Sequence, residues 1–220
     1  MAADYADMTL DELRIALAPA LAEAAVFDGW SSQAITSAAE TLGVNPDVAA
    51  LAYPDGAIDM IAAWIAAIDA AMAQAFPPER IAAMKIRERI RALVQFRLDA
   101  MTGSEEALRR ALAIMAMPQN AARALKLGWG SADRMWRLAG DTATDYNHYT
   151  KRTILASIYA ATLTVFVSDE SEGKAETRAF LDRRIDGVMK FEQVKAKWLN
   201  PDRETFSVTR FLGRLRYPAR

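Results

Sequence analysis

Cysteine is absent from the 220 residues, and histidine occurs once, as His148. The first absence excludes a disulfide framework, a thiol nucleophile and thiolate metal sites, and it leans towards a reducing compartment. A single histidine leaves little for a Ser-His-Asp triad or a multi-histidine metal site. No Glu-x-x-His pairs on facing helices supply a di-iron centre. Gly128-Trp129-Gly130 lacks the third glycine and the preceding strand of a dinucleotide fingerprint, and no phosphate loop is present. Asp145 and His148 stand one helical turn apart, but a cap beside an exposed neighbour accounts for them better than an acid–base pair. The expectation is a non-enzyme with no catalytic residue, no metal and no cofactor. Long apolar runs are missing as well. The best span candidate, Thr153 to Val167, falls short of the roughly 18–20 residues a membrane crossing needs, and a buried central helix is expected there. The opening MAADYADMTLDEL is acidic and fits neither a secretory signal nor an Arg-rich transit peptide.

What is present is apolar and helical. Hydrophobic residues make up 52% and charged residues 25%, enough for a sizeable core. Lys and Arg (27) nearly balance Asp and Glu (28), so net charge names no partner. No alternating runs joined by hairpin turns suggest a sheet, and the chain is expected to be all-α. Thr9 and Glu12 form a capping box for a helix that ends at Asp28-Gly29. Ser31 caps a short helix closed by Gly43, and Asn45-Pro46 begins another that stops before Pro54. An alanine-rich helix from Ala57 to Phe76 carries Met60, Ile61, Trp64, Ile65, Ile68 and Met72 at three- and four-residue steps. One longer amphipathic helix is expected from Glu79 to Met101, with Arg87, Arg89, Arg91 and Arg97 on its wet face. The segment Asn120–Leu138 reads as helical but interrupted at Gly128-Trp129-Gly130-Ser131. SDESEG reads as a solvated acidic loop, and a last helix runs from Ala175 to Trp198. The expected division is a helix-turn-helix-type lobe at 1–55, a larger helical lobe at 56–200 and a basic amphipathic tail at 201–220.

The three front helices reproduce the spacing of a TetR-type DNA-binding lobe, in which the last short helix enters the major groove. The charge argues against DNA. No Lys or Arg occurs between Arg14 and Arg80, while Glu23, Asp28, Glu40, Asp47, Asp55, Asp59, Asp69 and Glu79 lie there. Phosphate binding needs cations, so no nucleic-acid partner is expected.

Two segments stand out as candidate surfaces. From Asp133 to Tyr149, Met135, Trp136, Tyr146, His148 and Tyr149 cluster with Asp141 and Asp145 around a helix–turn–helix corner. Large apolar anchors with an orienting charge suit a protein-binding hot spot; the competing reading is that several of these rings are core. In the tail, Phe206, Phe211, Leu212 and Leu215 interleave with Arg210 and Arg214. A basic amphipathic segment of this kind suits an anionic membrane surface, and equally a terminal helix docked on its own core.

Met135-Trp136, Ala139-Gly140-Asp141, Thr144-Asp145, Tyr149-Thr150, Arg152, Ile158-Tyr159 and a Phe-Leu-x-x-Arg run from Phe180 together resemble the Coq-nine family of ubiquinone-biosynthesis proteins. Weaker matches at Gly29-Trp30, Leu42-Gly43 and Met117-Pro118 extend the likeness over most of the chain. The resemblance implies a TetR-like fold, a homodimer and a hydrophobic lipid pocket in the larger lobe. It implies an accessory protein that presents a polyisoprenoid quinone intermediate to a di-iron ring hydroxylase. The alternative is a TetR-type ligand-responsive transcriptional regulator. The partner patch would fall on Asp133, Met135, Trp136, Asp145, His148 and Tyr149. Met60, Trp64, Met84, Met115 and Met117 are the expected lipid contacts, because methionine repacks readily around an apolar guest. A bound isoprenoid or phospholipid and a bacterial protein on the cytoplasmic side of the inner membrane complete the expectation.

Overall fold

The computed structural model describes the backbone of residues 5–142 and 146–199, with side chains for these except residues 6, 146, 147 and 189–199. Among the described residues every regular element is helical. The ten α-helices are α1 (Leu10–Asp28), α2 (Ser32–Leu42), α3 (Pro46–Leu51), α4 (Ala57–Ala75), α5 (Pro78–Ala82), α6 (Ile86–Asp99), α7 (Glu105–Met115), α8 (Ala121–Leu138), α9 (Tyr146–Phe166) and α10 (Ala175–Leu199). Residues up to Asp182 form one compact unit, and a second begins at Arg183.

Local chemistry sets the front of the chain. The Thr9 amide donates to Glu12 at 2.9 Å, and the Glu12 amide donates to Thr9 Oγ1 at 3.3 Å, closing the capping box. Gly43 ends α2 at φ 69°, a left-handed conformation that glycine adopts without a Cβ penalty. Asn45 accepts from the Asp47 amide at 2.8 Å, with Pro46 in the first turn of α3. Leu13, Leu17 and Leu21 are buried on one face of α1, which packs on α2 and α4 and reaches α7. Arg14 Nε donates to the Ala52 carbonyl at 2.6 Å, and the Tyr53 hydroxyl donates to the Arg14 carbonyl at 2.8 Å, tying α1 to the end of α3.

Four expectations need correction. The helix expected over Glu79–Met101 is two helices, broken at residues 83–85. The Lys85 amide donates to Glu88, and Arg89 fills the gap by donating to the carbonyls of Ala82, Met84 and, 50 residues away, Ala139. Arg97 is not on a wet face; it is 1% exposed. Conversely, α8 runs unbroken through Gly128 and Gly130, whose φ angles are not positive, so the glycines cost helix propensity without ending the helix. Finally, α9 is buried on one side only. Thr153, Ser157, Ala160 and Thr164 are exposed, and the Thr153 and Ser157 hydroxyls donate back to the Tyr149 and Thr153 carbonyls at 2.9 and 2.8 Å. Such back-bonded hydroxyls let an uncharged face meet water. By length and composition, α4 passes for a membrane span, yet half of its apolar window is buried inside the protein.

The segment read as a solvated acidic loop hides a buried acid. Asp169 accepts hydrogen bonds from the amides of Ser171 and Thr177 at 2.9 and 2.7 Å and from both their hydroxyls. Burial alone would raise its pKa, but these bonds outweigh it and hold the carboxyl well below the usual range. Because the folded pKa lies below the unfolded value of about 3.9, the stabilisation is full above about pH 4 and is lost as pH falls. Asp169→Ala is expected to lower unfolding free energy by about 2–3 kcal/mol at pH 7 and by less at pH 3, read from urea titrations. Equal losses at both pH values would contradict this account.

Candidate functional site

The corner between α8 and α9 is built on one buried cation. Arg152 donates from Nε to Asp133 at 2.6 Å and from Nη1 to Asp141 at 3.0 Å and to the His148 carbonyl at 3.1 Å. Lys151 pairs with the other oxygen of Asp141 at 2.6 Å, and its ammonium lies 5.5 Å from the Trp136 ring centroid. The Trp136 indole N–H donates to the Lys151 carbonyl at 3.0 Å. Burial pushes the Asp141 carboxyl up, but hydrogen bonds and charge from Lys151 and Arg152 outweigh that and hold it below the usual range. Fixing the corner this way sets how α9 lies along α8.

Several expected surface residues have other jobs. Met135 is fully buried, so it is core and offers no contact as folded. Asp133 is occupied by Arg152 and Arg137, and Trp136 is half-buried with its N–H spent inside. Asp145 lies outside the described residues, as do the six tail positions Phe206, Arg210, Phe211, Leu212, Arg214 and Leu215. Tyr149 does face solvent at 61% exposure, with Trp129 at 6.1 Å and His148 at 5.1 Å between ring centroids. Leu125, one turn before Trp129 on α8, is 76% exposed. Sequence pattern alone does not reveal the strip Leu125–Trp129–Tyr149, because a Gly-Trp-Gly run reads as a helix break. The i, i+4 spacing of Leu125 and Trp129 was the available signal.

An apolar cavity of about 150 Å³ lies among α4, α6, α7, α8 and α9. Ile61, Trp64 and Ile68 line it from α4, Leu108 and Met115 from α7, Leu127 and Gly128 from α8, and Tyr159 and Leu163 from α9. Arg97, from α6, and Ser131, from α8, contribute polar groups. Trp64 is braced by Trp30, 5.4 Å away between centroids, whose indole N–H donates to the Ala107 carbonyl at 2.9 Å. Of the expected lipid contacts, Trp64 and Met115 reach the cavity. Met60 is buried elsewhere in the core, Met84 is half-buried at the α5–α6 break, and Met117 is 43% exposed beyond α7; none of these three lines it. No group of three or more His, Cys, Asp or Glu placed to hold a metal occurs among the described residues.

Residues 121–192, which begin at the first residue of α8, match the family model described as COQ9. The chain is similar to COQ9. The rat protein named "Ubiquinone biosynthesis protein COQ9, mitochondrial" is 33% identical over 168 residues, covering 73% of this chain and 54% of that protein. The human protein of the same name is 30% identical, covering 73% and 52%. A Drosophila melanogaster COQ9 is 27% identical over 195 residues, covering 87% and 60%. The chain thus spans about half the length of the curated relatives it matches. The resemblance read from the Met135–Tyr159 motifs stands. A solved TetR transcriptional regulator from Nitrosomonas europaea superposes with a TM-score of 0.64 at 22% identity, covering 81% of this chain and 99% of that one. The fold is therefore all-α and TetR-like; that likeness concerns fold alone.

Proposed function

We propose that this chain is a non-catalytic, lipid-binding accessory protein of ubiquinone biosynthesis, which takes up a polyisoprenoid quinone intermediate and presents it to the ring hydroxylase at the membrane. The observation that carries this reading is an apolar cavity in a chain similar to COQ9. Each buried CH₂ is worth about 0.8 kcal/mol, so a polyisoprenoid does not travel through water unescorted. A cavity of about 150 Å³ holds one ring or isoprene unit rather than a whole tail, as an engineered cavity of that size in another protein holds benzene. The rest of the lipid then lies outside it, on the protein surface or in the bilayer. The Leu125–Trp129–Tyr149 strip, with Leu125 and Tyr149 exposed and Trp129 half-buried, supplies the aromatic anchor for the hydroxylase, held in place by the Arg152 corner. The protein acts as a homodimer, with the basic tail seeking anionic lipid on the cytoplasmic side of a bacterial inner membrane and an isoprenoid or phospholipid as resident ligand. It does not bind nucleic acid: α3 offers Asp47, Val48 and Leu51 to solvent and carries no cation.

Gly128 provides the test. It lines the cavity from within α8, and a Cβ there meets nothing within 4 Å. Gly128→Leu is expected to raise stability by about 0.5–1 kcal/mol through helix propensity while filling the cavity. Mass spectrometry of extracts from the purified full chain should find isoprenoid lipid with the wild type and little with the variant. Equal lipid in both, or none in the wild type, would sink the carrier reading.

A further inference from the structure

The cavity has an apolar wall and one charged group with an unused donor. Arg97 is 1% exposed, and its guanidinium lies 5.1 Å from the Tyr159 ring centroid. Nη1 is paired with Asp69, and Nη2 donates to Ser131 Oγ at 3.1 Å, while Nε–H has no acceptor. A buried N–H without an acceptor is rare in folded proteins, and a water or a ligand usually completes it. Asp69 neutralises the cation, so the buried pair has no charge left for an anion; the group that fits is a neutral oxygen acceptor. Trp64 and Tyr159 contribute aromatic rings to the lining. Ala160 lines the cavity yet is exposed, so the enclosure opens along α9.

We infer that the cavity recognises a flat ring bearing a carbonyl or ether oxygen, which accepts a hydrogen bond from Arg97 Nε while the apolar remainder leaves past Ala160. This rests on the lipid-binding reading of the cavity and adds an orientation to it: the oxygenated ring goes in and the chain trails out. A ring held this way is shielded until the carrier releases it. Ser131 positions the guanidinium; Arg97 makes the contact.

The test uses the full chain and three small probes by calorimetry. Acetophenone carries ring and carbonyl; α-methylstyrene has the same shape with CH₂ in place of the oxygen; methyl heptanoate is an acyl ester without a ring. Wild type is expected to bind acetophenone most tightly. Arg97→Lys, which keeps a cation beside Asp69, is expected to lose about tenfold in acetophenone affinity and little for α-methylstyrene. An infrared band for the bound acetophenone carbonyl shifted down from its position in alkane is expected in wild type, and this readout needs no variant to fold. An unshifted band, equal losses for both ring probes, or tighter binding of methyl heptanoate would each overturn the assignment. If the probes behave as expected but no isoprenoid co-purifies, the recognition site stands and the carrier reading fails; lipid with an unshifted carbonyl gives the reverse.

Discussion

Arg152→Met lowers the unfolding free energy by about 3–5 kcal/mol, a large share of the roughly 5–15 kcal/mol available to a domain. Methionine nearly keeps the volume but removes the cation that bridges Asp133 and Asp141, leaving each half-buried acid with only an exposed partner, Arg137 or Lys151. Arg152 is 1% exposed and is the only cation among the described residues that reaches both acids. Losing one partner of a buried ion group costs far more than the group contributes relative to an apolar replacement, because the remaining charge stays desolvated. Urea denaturation followed by tryptophan fluorescence measures the effect, with Trp136 as a probe at the site. The acid response gives a second check. Asp141 sits below its ordinary pKa in the folded protein, so its stabilisation is present above about pH 4 and disappears as pH falls. In Arg152→Met that acid dependence should shrink, although Lys151 retains part of it. A loss under about 1 kcal/mol would show that the corner is held by apolar packing around Met135 instead.

Arg97→Met is the second large effect, about 3 kcal/mol or more at pH 7, and its pH dependence has the opposite sign. Burial pushes the Asp69 carboxyl up even with Arg97 and Arg134 beside it. Burial also disfavours the charged form of Arg97, but Tyr159 and Asp69 overcome this and keep it protonated. Without Arg97, Asp69 retains only Arg134, a 61%-exposed partner at 3.4 Å, and its folded pKa rises further. A group whose folded pKa is raised stabilises below its unfolded pKa and loses that contribution as pH rises through the folded value. The deficit of Arg97→Met should therefore narrow on acidification. The double variant Asp69→Asn/Arg97→Met should recover most of the loss, since no unpaired buried charge remains. A double variant as unstable as the single one would locate the cost in packing against Tyr159.

The helix ends of the front lobe were legible in sequence because each cap acts within about four residues. Thr9 with Glu12, Ser31, Gly43 and Asn45-Pro46 stand where the observed helices begin and end. The break at residues 83–85 was not legible. No glycine or proline marks it, and Arg89 completes it through the distant Ala139 carbonyl. The cavity lining was only half legible for a related reason. Met60 and Trp64 follow one apolar pattern on α4, yet Trp64 faces the cavity and Met60 does not. Periodicity finds the buried side of a helix without saying what that side is buried against.

What the sequence determined by itself is an all-α chain with a three-helix front lobe too acidic for phosphate, and the family motifs around the α8–α9 corner. Composition, capping and charge are properties of neighbours along the chain. Tertiary structure decided that Arg97 is interior, that Met135 is core and that Leu125 and Tyr149 face out. It also decided that Asp69, Arg97 and Ser131 meet across 62 residues of chain, with Arg97 and Ser131 in the wall of one cavity. Burying a cation is tolerable only where an acid from another helix meets it, and that condition is satisfied in space rather than in sequence.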